Sequence, residues 1–184
     1  MYALLRHYMK TGDVIGFSGK GDVSNVIKQF TGCDISHIGI VYRTPEDRVV
    51  IMESTSLNDI PDCVTGERIK GVQQQYLSDR LASYDGQAYW YALDADVEDF
   101  EPMFDWLEQV HENRTEYDTA QAIGAGIDYF VPENHECLNK LFCSELVSHA
   151  LQLAGVVPDE INASEETPAD VIKYPCLLER KQIG

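Results

Sequence analysis

The chain is poor in positive charge. Its 184 residues include 14 Lys and Arg against 31 Asp and Glu, a net charge of -17. Such a surface repels phosphate backbones and anionic headgroups, so neither nucleic acid nor bare membrane is an expected partner. Cationic or neutral substrates are compatible with it, and simple solvation is the expected role of most of the carboxylates. Long apolar runs are also missing. No window approaches the roughly 18 to 20 apolar residues of a membrane span. The opening "MYALLRHYMKTGD" has neither a signal-peptide core nor a small-residue cleavage site. The expected location is therefore cytoplasmic, or a virion or host cytoplasm for a viral gene.

Cysteine is sparse and odd in number. Cys33, Cys63, Cys137, Cys143 and Cys176 are scattered, which excludes a disulfide framework and suits a reducing compartment. Metal motifs are lacking: "HECLNKLFC" offers His135, Cys137 and Cys143, but there is no CxxC or HxxxH. "GFSGKGD" does not have phosphate-loop spacing and reads as a turn. No cofactor and no metal are expected. With 13 Gly and 7 Pro in an ordinary composition, neither disorder nor a fibrous fold is indicated.

What is present reads as one α+β domain over 1–184. "GDVIGFSG" alternates as a strand. "DVSNVIKQFTG" carries Val23, Val26, Ile27 and Phe30 at helical spacing, with Gly32 as its stop. "SHIGIVYR" and "RVVIMEST" are β-branched runs joined by the turn sequence "TPED", an expected antiparallel pair. "KGVQQQYL" and "QAYWYALD" read as further strands. "PMFDWLEQVHEN" reads as an amphipathic helix with Pro near its start. "TAQAIGAGI" reads as a helix weakened by two glycines. A lid or insertion is expected at about 85–112. "FCSELVSHALQLAG" is a helix ending at Gly155, and "TPADVIKYP" a turn into a last short helix.

Cys143 stands in the first turn of that late helix. Unpaired N–H groups and the dipole there favour a thiolate, the form that attacks carbonyls. Leu146, Val147, Ala150, Leu151 and Ala154 share its face, so an inert buried cysteine fits the pattern equally. His149 is six residues on, about 600° around the helix, and reads as solvent-facing. His37 opens a strand expected to be buried, where an imidazole needs a partner. Glu53 ends the next strand. Counting outward from the turn brings Glu53 close to His37, within the register uncertainty of the count.

Together, "GDVIGF", "SHIGIV", a strand ending in Glu, and a late "FCSELV" followed by "TPAD" resemble the permuted papain-fold cysteine hydrolases. The closer likeness is to the NlpC-like group typified by YiiX and YaeF. The resemblance covers about 11–56 and 115–175. It implies a permuted papain-like fold, an antiparallel sheet packed on helices with the cysteine at a helix N-terminus. It also implies Cys143 as nucleophile, His37 as base, Glu53 as the residue orienting His37, and Tyr117 in "EYD" as a substrate-lining side chain. The activity implied is hydrolysis of an amide bond, peptide or isopeptide, through an acyl-enzyme. The substrate would be a peptide, a cell-wall-like peptide or an acyl group. Two alternatives stand beside it: a lipid acyl hydrolase or acyltransferase, and a non-catalytic binding or virion module that keeps the fold.

Overall fold

The computed structural model describes residues 1–117 and 140–184. A six-stranded antiparallel sheet runs in the order β4-β3-β2-β1-β5-β8. Its strands are β1 (Val14–Ser18), β2 (His37–Arg43), β3 (Val49–Thr55), β4 (Gly71–Tyr76), β5 (Gln87–Tyr91) and β8 (Lys181–Gln182). The helices are α1 (Tyr2–Leu5), α2 (Asp22–Thr31), α3 (Leu77–Ala82), α4 (Glu101–Glu112), α5 (Cys143–Leu153) and α6 (Pro168–Val171). A short parallel pair, β6 (Glu116–Tyr117) and β7 (Lys140–Leu141), precedes α5. The architecture is α+β.

The strand period of two divides the core. Val14, Ile38, Ile40, Met52 and Val72 face one way and pack with α4 and α5. Ile15, Phe17, Val41 and Ile51 face the other way, with Leu77 and Trp90. On α5, Leu146, Val147, Ala150 and Leu151 are fully buried against the first face. Each buried Leu or Val among them contributes on the order of 1.5–3 kcal/mol by leaving water. Asp13, the acid of "GDV", is buried and accepts from Trp90 Nε1 at 2.7 Å and from Leu93 N–H at 2.9 Å. It fastens the start of β1 to the end of β5, which explains an acidic residue at that depth.

Residues 85–112, expected as a lid or insertion, supply β5, which pairs with β1 and β8, and α4, whose Met103, Leu107 and Val110 are buried in the main core. On α2 only part of the apolar stripe is covered: Ile27 is buried, whereas Val26 and Phe30 remain about half exposed, at 49% and 48%. The helix expected at 119–127 lies outside the described residues. No helix among the described residues is long and apolar enough to cross a membrane.

Candidate active site

The site starts from a strand end. Ser36 is buried and its Oγ spans to β1, donating to the Phe17 carbonyl and accepting from Gly19 N–H, both at 3.4 Å. This fixes the point where β2 begins. His37 follows, directly opposite Phe17 in the register, with its ring tilted against the Phe17 ring at 5.6 Å. The β2–β3 pairing puts Met52 across from Ile40, so continuing it places Glu53 across from Gly39. Glu53 and His37 are then diagonal neighbours on one face, within reach of long side chains. His37 Nε2 meets Glu53 Oε2 at 2.5 Å. Gly39 in "SHIG" has a steric reason: a Cβ there would lie 2.7 Å from Ile51 Cδ1.

Glu53 is fully buried, and a buried carboxylate needs compensation. It receives it from Arg80 of α3, whose Nε donates to Oε1 at 2.5 Å and whose Nη2 donates to Oε2 at 3.3 Å. The guanidinium lies over the rings of both Phe17 and Tyr84, 4.5 and 4.9 Å from their centroids. Burial alone would raise the Glu53 carboxyl. The charge of Arg80 and the bond to His37 outweigh it and bring the group down to about 2.

Cys143 reaches the same imidazole from α5. Its sulfur lies near enough to His37 for charge on it to act on the ring. Since Nε2 is held by Glu53, Nδ1 is the nitrogen left for sulfur. Burial disfavours the imidazolium, but negative charge on Cys143 and the Glu53 carboxylate together push His37 up to about 9. Cys143 itself is fully buried, while the His37 side chain is 15% exposed. His37 opens onto a groove of about 510 Å³ that also shows Ser36, Thr55, Arg80, Ser83 and Tyr84.

The structure thus brings Cys143, His37 and Glu53 to one place. Tyr117 ends β6, paired with Leu141 two residues before Cys143, but its side chain is outside the description. His135 and Cys137 are outside it as well. His149 is not simply solvent-facing: it packs edge-on against Trp106 at 4.7 Å. Arg80 was missed in the sequence, although a signal existed. Leu77, Arg80 and Leu81 share one face of a short helix, so an arginine stands where an apolar residue is expected. A second buried pair, His111 Nε2 to Asp62 Oδ2 at 2.8 Å, was also missed. Its carboxylate further accepts from the N–H groups of Val64, Thr65 and Gln74, and it pins the 56–70 connection beneath α4.

Sheet order and site geometry set the frame for a comparison with solved structures. The chain is similar to metalloprotein YiiX. That crystal structure, of a DUF1105 protein from Escherichia coli O157:H7, superposes with a TM-score of 0.54 over 96% of this chain and 97% of that one, at 14% identity. The likeness is one of fold. No family model and no curated protein matches the sequence.

Proposed function

We propose that the chain is a thiol hydrolase with a permuted papain-like fold, cleaving an amide bond of a peptide or isopeptide. Cys143 is the nucleophile, His37 the general acid and base, and Glu53 the residue that orients the ring. The observation that supports this reading is that one imidazole is bonded to the buried Glu53 carboxylate and lies within electrostatic reach of the Cys143 sulfur.

The steps follow from that arrangement. The Cys143 sulfur attacks the carbonyl carbon, and the C–O π electrons move to oxygen. The first-turn N–H groups of α5 have no intrahelical partners and face the developing oxyanion. The oxyanion collapses, the C–N bond breaks, and the imidazolium donates its Nδ1 proton to the leaving nitrogen. The neutral ring then takes a proton from water, which attacks the thioester, and the thiolate leaves. Glu53 on Nε2 selects the tautomer and stabilises the imidazolium formed between these steps. Arg80 keeps Glu53 ionised and is a positioning residue.

The name of YiiX carries a metal. Among the described residues of this chain no three His, Cys, Asp or Glu side chains converge as a metal site.

One observation favours a second reading, a binding module that keeps the fold without turnover: Cys143 is fully buried. Rapid mixing with p-nitrophenyl acetate separates the two. The hydrolase releases a stoichiometric burst of p-nitrophenolate and gains an acetyl group on Cys143, both lost in Cys143→Ala. Absence of the burst, or its survival in that variant, favours the module.

A further inference from the structure

At the far end of the sheet from His37 lies a second cavity. β2 runs from His37 to Arg43, six steps of about 3.3 Å, so the two ends stand roughly 20 Å apart. The cavity measures about 480 Å³, and Tyr2, Arg6, Arg48, Tyr76, Ser78 and Asp79 line it. It falls within the size range of small-molecule sites, about 300–1,000 Å³.

Its charge runs against that of the whole chain. Lys20, Arg43, Arg80, Arg114 and Arg180 each pair with a carboxylate. Among the described residues, no ion pair of this kind holds Arg6 or Arg48. Arg6 donates to a neutral acceptor, the Asp47 carbonyl at 3.3 Å, and its charge acts on the Tyr2 hydroxyl. The Arg48 guanidinium lies over the Tyr76 ring, 4.8 Å from its centroid. Asp79 is the one acid of the lining, and it accepts from Ser78 Oγ at 3.1 Å. Two guanidiniums against one carboxylate leave a positive hollow on a chain of net charge -17.

We propose that this cavity binds a small organic anion, with a phosphate or carboxylate head on Arg6 and Arg48 and an apolar body against Tyr2 and Tyr76. Planar guanidinium forks match the oxygens of such heads. The cavity is larger than a bare phosphate needs, and its aromatic walls take up the remaining space. The site is separate from the His37 groove and does not depend on the hydrolase reading.

Isothermal titration at fixed ionic strength tests it, with phenyl phosphate as the whole probe and inorganic phosphate and benzyl alcohol as its parts. The expected result is saturable binding of phenyl phosphate, tighter than either part, with R6Q and R48Q each weakening it at least about tenfold, or ~1.4 kcal/mol. His37→Ala binds like the wild type. The unliganded melting temperatures of both Arg variants, matched to the wild type, establish that they fold. No saturable binding, wild-type affinity in R6Q or R48Q, or loss of binding in a His37→Ala variant that keeps the wild-type fold would each overturn the proposal.

Discussion

At the scale of single residues, the buried triangle of His37, Glu53 and Arg80 decides most. Arg80→Met leaves the Glu53 carboxylate buried with its main counter-charge gone. The expected cost is about 3–5 kcal/mol, read as a lowered urea midpoint. The double variant Arg80→Met with Glu53→Gln removes the stranded charge and recovers part of that loss; a double variant no more stable than the single contradicts the pairing. The same triangle sets a pH window. Glu53 in the folded chain titrates below its ordinary 4.5, so its contribution is complete above about 4.5 and is lost as pH falls toward 2. His37 titrates above its ordinary 6.5, so its contribution is complete below 6.5 and is lost as pH rises through about 9. Both are present together between about 4.5 and 6.5, where urea midpoints are highest. In His37→Gln the alkaline decline flattens and the acid decline remains; an unchanged alkaline limb contradicts the assignment. That His37 and Glu53 meet was legible from counting outward along the hairpin. Arg80 went unread although an arginine on the apolar face of a short helix marked it, because that face does not name the carboxylate it meets.

Elements were legible in proportion to how local their cause is. The β2–β3 hairpin follows from two β-branched runs and a turn, and α5 from its apolar stripe and the glycine after it. The half-bare stripe of α2 and the place of β5 between β1 and β8 depend on which neighbour a face finds, and periodicity carries no such information. β4 shows a local constraint of another kind. Gly71 opens it at φ +98°, and a Cβ there would lie 2.1 Å from the Thr115 carbonyl oxygen, against which Val72 N–H is bonded at 2.9 Å. Gly71→Ala therefore strains the backbone and parts β4 from the end of α4. A loss on the order of 3 kcal/mol in chemical denaturation is expected. A loss under about 0.5 kcal/mol would mean that this close approach does not exist in solution.

For the whole molecule, the governing quantity is the net charge of -17. Self-repulsion works against the compact state and is screened by salt. The melting temperature should rise between low salt and about 0.3 M sodium chloride, where the screening length is well under 10 Å. A fall over that range would mean that attractive pairs dominate the surface. The overall architecture was legible as α+β from the order of strand-like and helix-like stretches. The fold likeness to YiiX at 14% identity shows how little of the sequence such an arrangement requires.

The central claim is that His37 activates Cys143. Exposure and activation rank the cysteines in opposite orders. Cys143 is fully buried, whereas Cys33, Cys63 and Cys176 are partly open, and burial pushes the Cys63 thiol up to about 11. The decisive measurement is the rate of iodoacetamide alkylation at each cysteine of the native protein near pH 6, resolved by peptide mapping, in wild type and His37→Ala. The account predicts that Cys143 reacts first and loses that lead without His37. Alkylation of Cys143 last, or at a rate indifferent to His37, would contradict it.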